Sequence, residues 1–165
     1  MKILYICTHN RCRSILSEAI TRQNAQGMIE AKSAGSQPAA EVHPLSLQYL
    51  REAGYNTAGL ASKSWDVLAD ETGADFVPDV VITVCDQAAG ESCPLWLGAT
   101  PKLHWGLSDP SKLDGRDEEK RQAFFATIRE IEGRVEQLVK IAKRPKTEQL
   151  AALQQLVQSS SVTNA

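Results

Sequence analysis

The chain opens on a short apolar run, Ile3-Leu4-Tyr5-Ile6, that leads into Cys7-Thr8-His9-Asn10-Arg11-Cys12-Arg13-Ser14. An apolar, β-rich run without alternation predicts a strand buried on both faces, and such strands belong to parallel sheets with crossover helices. The residues after it fit that crossover: five of them separate Cys7 from Arg13, and Ser14 is a residue type that opens helices. A loop of this length between strand and helix can wrap a tetrahedral oxyanion. Its backbone N–H groups point inward, the Arg13 guanidinium forks onto two oxygens, and the Cys7 thiol faces the central atom. The positive end of the helix would lower the thiol pKa and supply a thiolate nucleophile. Thr8, His9, Asn10, Arg11, Cys12, Arg13 and Ser14 are thus the candidate anion-binding residues. Ser14 is expected both to cap the helix and to donate to the Cys7 thiolate, while Asn10 is suited to left-handed backbone in a tight loop. For Cys12, a small filler is at least as good a reading as a redox role.

The rest of the chain repeats the strand–helix alternation. Residues 14–26 form a helical face that Gly27 stops, and residues 29–34 read as a second strand. Pro44 opens a helix that Gly54 closes, and residues 57–76 are ambiguous, with a short helix around Trp65 to Ala69. Asp79 to Val84 is the strongest strand signal and ends on Cys85, as the first strand ends on Cys7. Residues 102–107 read as a last strand, followed by the turn Ser108-Asp109-Pro110. From Glu118 to Ala142 the apolar positions are spaced by four and three in turn, a long amphipathic helix. Beyond Pro145 one more short helix and a frayed tail over residues 159–165 are expected. The pattern predicts one α/β domain whose parallel sheet is covered on both sides, with ligands bound beyond the carboxyl ends of the strands. Cys7, Cys85 and Asp109 would share that edge.

Composition narrows the function classes. A net charge of −2 over 165 residues gives no general attraction to nucleic acid or acidic membranes. The run before Cys7 is too short for a signal-peptide core, and no stretch approaches a membrane span, so a cytoplasmic protein is the simplest expectation. The four cysteines, Cys7, Cys12, Cys85 and Cys93, are too few for a secreted disulfide scaffold. Their C-x4-C and C-x7-C spacings, with no histidine at ligand distance, do not read as a zinc site, and no metal is expected.

The chemistry is then argued by place. Asp109 in an Asp-Pro turn is ordinarily a turn residue, but at this sheet edge it is positioned to protonate an oxygen leaving the anion loop. Cys85 and Cys93 flank a polar, Gly-containing segment that could carry their sulfurs together. A phosphatase has no need of such a pair, whereas a reductase needs thiols to take up two electrons' worth of oxidation. His43 and His104 are read as structural, and Trp105 as packing.

These segments resemble the arsenate reductases of the low-molecular-weight tyrosine phosphatase superfamily. The resemblance covers about residues 1–143 and rests on C-T-H-N-R-C-R-S at 7–14, S-A-G at 33–35, V-C-D-Q-A-A-G-E-S-C-P at 84–94 and H-W-G-L-S-D-P at 104–110. Phosphatases of the superfamily place tyrosines after the Asp-Pro, where this chain has Ser111 and Lys112. The resemblance implies a flavodoxin-like three-layer sandwich with a four-stranded parallel sheet, a catalytic domain over residues 1–143 and a C-terminal extension over 144–165. It implies a thiol relay in which Cys7 attacks arsenate held by the loop and Arg13 while Asp109 protonates the departing oxygen. Cys85 then attacks Cys7, releasing arsenite, and Cys93 takes over the disulfide. No bound cofactor is implied; the electrons come from an external thiol reductant, thioredoxin or glutathione/glutaredoxin. Two departures stand out: His9 replaces a usually small residue, and Lys63 stands where some relatives hold a potassium ion on a carboxylate, beside Asn10, Glu18 and Ser33. Two alternatives stay open: a phosphatase of the same fold using Cys7, Arg13 and Asp109 alone, and a non-catalytic oxyanion-binding or redox-sensing module.

Overall fold

The computed structural model describes residues 1–72, 76–90 and 99–163. Four parallel strands alternate with helices: β1 (Lys2–Ile6), α1 (Arg13–Asn24), β2 (Glu30–Ala34), α2 (Pro44–Glu52), α3 (Trp65–Thr72), β3 (Val80–Thr83), α4 (Asp86–Ala89), β4 (Lys102–His104), α5 (Asp117–Ala142) and α6 (Lys146–Thr163). The sheet order is β2-β1-β3-β4. This is the doubly wound α/β arrangement expected from the alternating elements. The order reverses between β1 and β3, and such a reversal leaves a crevice beyond the carboxyl ends of the two strands. Ile6 is level with Thr83 in that pair, so Cys7 and Cys85 both emerge at the crevice.

The core explains why the edge is rigid. All four residues of β3 are buried, and so are Ile3 to Ile6 of β1. Ile15, Leu16, Ala19 and Ile20 of α1 meet the α5 stripe of Phe124, Ile128, Ile131, Val135 and Leu138, all buried. The helix stops read from the sequence sit at left-handed backbone, with φ of +78° at Gly27 and +90° at Gly54, where glycine carries no Cβ penalty.

Three expectations change. β4 ends at His104 rather than Leu107. Trp105 N and Leu107 N still donate to Thr83 O and Val84 O, but the carbonyls of Trp105 and Gly106 turn to the Arg134 guanidinium instead of a ladder. The short helix near Trp65 extends to Thr72, started by Ser64 Oγ, which accepts from Val67 N, and anchored by buried Leu68. The C-terminal helix runs to Thr163, through most of the expected tail. Leu153 and Val157 are buried where α6 packs on α5 and β4, and the Ser159 and Ser160 hydroxyls donate back to the carbonyls of Gln155 and Leu156. No helix among the described residues is long and apolar enough to cross a membrane.

Candidate active site

The crevice is a cleft of about 350 Å3, lined by Cys7, Thr8, His9, Arg11, Cys12, Arg13, His43, Cys85, Asp86, Asp109, Ser111 and Lys112. It gathers every described residue singled out as a site candidate except Asn10 and Ser14, which brace the loop from beneath. Cys93 lies outside the described residues.

The loop is held in shape by a buried polar network. Asn10 adopts φ +47°, as its short amide permits. Its Nδ2 donates to Ser14 Oγ (2.8 Å) and Ser33 Oγ (3.0 Å), and its Oδ1 accepts from Lys63 N (3.0 Å). Ser33 Oγ in turn donates to Glu18 Oε2 (2.8 Å). Ser14 is therefore a brace rather than the helix cap. The sharp backbone at Cys12 starts α1 one residue earlier than the sequence indicates, and no side chain caps it. Gly35 supports the loop from β2: a Cβ there would lie 2.5 Å from the Thr8 carbonyl oxygen and 2.7 Å from that of Cys7.

The same network decides the cation question. Asn10 Oδ1 and Glu18 Oε2 already accept protein hydrogen bonds, and Lys63 brings its own positive charge. Burial pushes the Glu18 carboxyl above its ordinary range, and Lys63 is first among the groups pulling it back. Glu18, Asn10 and Ser33 do not fit a potassium ion here. No cluster of three or more His, Cys, Asp or Glu suited to a metal occurs among the described residues.

Two thiols meet at the cleft floor. Cys7, Cys12 and Cys85 are free and buried. Cys85 Sγ accepts from Thr8 N at 3.4 Å and lies 3.6 Å from Thr8 Oγ1. One amide of the loop is thus turned to the second cysteine rather than into the cradle. Cys7 and Cys85 share a hydrogen bond. That bond, with Thr8 as a further donor, draws the Cys85 pKa down to about 5 against burial. The same bond and burial push Cys7 up, with Arg13 and the backbone at His9 opposing. The donors at Cys85 thus favour a thiolate within the pair, on the side that faces Thr8. Cys12 is pushed up to about 12, chiefly by burial, which leaves it an inert thiol filling the loop.

Arg13 Nη2 stands 3.5 Å from Asp109 Oδ2 and Nη1 donates to Leu107 O (3.2 Å), while Arg13 Nε is buried with no hydrogen-bond partner. A buried donor of that kind, beside a thiol and at a helix N-terminus, is a fitting contact for an oxyanion. Asp109 is fixed by the residues that follow it: its Oδ1 accepts from Ser111 N (2.9 Å) and Ser111 Oγ (2.5 Å). His9 is exposed, as is Arg11, and its Nδ1 pairs with the Gln37 carbonyl (3.0 Å), so it ties the loop to residues 36–40.

The sequence reading passed over four lining residues, His43, Asp86, Ser111 and Lys112. His43 caps α2 through Nδ1, which accepts from Leu45 N, and still faces the cleft; the signal was a histidine directly before the helix-opening Pro44. Ser111 and Lys112 follow Asp-Pro, where an Asx turn makes the second residue on a natural partner for the carboxylate.

The model of the low molecular weight phosphotyrosine protein phosphatase family matches residues 2–152. The chain belongs to that family. Two curated relatives are reductases by name. An arsenate reductase of Bacillus licheniformis is 32% identical over 128 residues, covering 78% of this chain and 86% of the relative. A glutaredoxin arsenate reductase of Synechocystis is 30% identical over 139 residues, covering 84% and 95%. Among solved structures, a thioredoxin-dependent arsenate reductase of Corynebacterium glutamicum superposes with a TM-score of 0.61 at 31% identity, over 86% of this chain and 61% of that one. The fold and membership expected from the loop and strand pattern are thus shown.

Proposed function

We propose that this member of the family reduces arsenate to arsenite by a relay of cysteine thiols. The observation that carries this reading is the second thiol, Cys85, hydrogen-bonded to Cys7 at the end of the neighbouring strand. Hydrolysis by Cys7, Arg13 and Asp109 would need nothing there; reduction needs a sulfur in reach of the first one. Arsenate is held by the loop and by Arg13. Cys7 gives its proton to Cys85 as its sulfur bonds to arsenic, and Asp109 protonates the departing oxygen, which leaves as water. Cys85 then gives that proton to water and attacks the Cys7 sulfur. The S–As bond breaks, its electron pair stays on arsenic as arsenite, and a Cys7–Cys85 disulfide remains. Cys93 then attacks Cys85, passing the oxidation to a Cys85–Cys93 disulfide, which thioredoxin reduces. No bound cofactor takes part, and a reducing cytoplasmic compartment suits a relay that must return to thiols.

Cys85→Ser tests the core of the reading: pre-reduced protein should release no arsenite while still binding arsenate, and any phosphatase activity should persist. Arsenite release from that variant would refute the relay. Cys93→Ser separates the donors, because loss of multiple turnover with thioredoxin but not with glutathione and glutaredoxin would mark Cys93 as the exit to thioredoxin.

A further inference from the structure

Asp109 sits at the end of a short irregular segment, and the segment is held by two guanidiniums. Arg13 takes the Leu107 carbonyl from the cleft side. From the opposite side Arg134 of α5 donates through Nη1 to Trp105 O (2.7 Å) and through Nη2 to Gly106 O (2.6 Å). The Arg134 guanidinium lies 4.4 Å from the Trp105 ring centroid and is held by Glu130 at 2.9 Å. Its side chain is only 11% exposed, although an ion pair with Glu130 one helical turn away could form in open solvent. A planar fork that spans two consecutive carbonyls does what the single point charge of lysine cannot.

We propose that Arg134 is a positioning residue for the general acid, fixing the backbone of residues 105–107 so that Asp109 meets the departing oxygen in line. The inference rests on the acid role given to Asp109 above. The amides of Trp105 and Leu107 are anchored to Thr83 and Val84, which leaves the carbonyls of residues 105–107 as the freedom of the segment. Arg134 removes that freedom at Trp105 and Gly106, four and three residues before the aspartate turn begins at Asp109, and Arg13 holds the carbonyl of Leu107. Arg134 does not line the cleft, so its effect reaches the site through residues 105–109.

The test is single-turnover release of arsenite from the pre-reduced full-length chain across pH, in wild type, Arg134→Met, Asp109→Asn and the double variant. Arg134→Met should slow release about tenfold at saturating arsenate and leave the half-saturating concentration within about twofold, the signature of a misplaced acid rather than lost binding. Arg134→Lys, which keeps the charge and reaches one carbonyl, should recover part of the rate, and it carries the test if Arg134→Met fails to fold. In the Asp109→Asn background the Arg134 change should slow release no further. An equal slowing in that background, or a loss seen only in half-saturation, would overturn the proposal. Slow Asp109→Asn beside an unslowed Arg134→Met would overturn the positioning role alone. Asp109→Asn at the wild-type rate would overturn the acid role and this inference with it. No arsenite from wild type would overturn the proposed function as well.

Discussion

The thiol pair at the cleft floor reverses the simplest view of the anion loop, in which the helix start lowers the pKa of the first cysteine. Cys7 and Thr8 both donate toward Cys85 and draw its pKa down, while the same bond and burial push Cys7 up. The direction has a measurable sign. Cys85 should remain a thiolate as pH falls from neutrality and lose that state only through about 5. Alkylation of Cys85 by iodoacetamide, located by mass spectrometry, should therefore persist in mildly acidic solution where an ordinary thiol, with a pKa of about 8.5, is unreactive. Cys7→Ala removes the strongest donor and should move the midpoint upward. A wild-type midpoint in the ordinary thiol range would remove this account of the pair. Much of this was readable in the sequence, since two strand signals each ended on cysteine. Which sulfur the donors face was not, because it depends on the side of the loop that Thr8 turns toward. Arg134 was illegible for a similar reason: one arginine on a charged helix face has no local mark that it will meet two carbonyls distant in the chain.

Among elements, β2 acts on the loop through its last neighbour, Gly35, over which the Cys7 and Thr8 carbonyls pass. A methyl group 2.5 Å from one carbonyl oxygen and 2.7 Å from the other meets backbone, which cannot swing aside. Gly35→Ala should therefore displace the cradle, weakening arsenate or phosphate binding by at least about tenfold at a stability cost of about 1–3 kcal/mol, as overpacking usually gives. Calorimetric titration against thermal unfolding checks both; unchanged affinity would mean the loop relaxes freely. Helix α1 shows the limit of local reading in the other direction. Ser14 has the chemistry of a cap, but the turn at Cys12 moves the helix start and turns that hydroxyl to Asn10. The strands and long helices were legible because burial imposes their periodicity, whereas caps depend on a single backbone angle.

At the scale of the molecule, α6 closes the fold against α5 and the edge strand β4. Leu153→Ala should cost about 2–3 kcal/mol. For a chain of this size that lowers the melting temperature by about 5–10 °C. Arsenite release below the transition should hardly change, because Leu153 packs near Met1 and Val80 at the far end of the sheet from the cleft. An unmoved melting temperature would mean that α6 adds little to the fold. The strand order matters more broadly. Because β1 and β3 are paired neighbours, Cys85, two residues past β3, is delivered beside Cys7 from strands held at the spacing of about 4.8 Å that parallel pairing enforces. Seen as an evolutionary step, the proposed relay separates reduction from hydrolysis at its first stage by the side chain at position 85. A lineage of such phosphatases could cross that boundary by a single codon change, with the scaffold, the anion cradle and the acid all left in place.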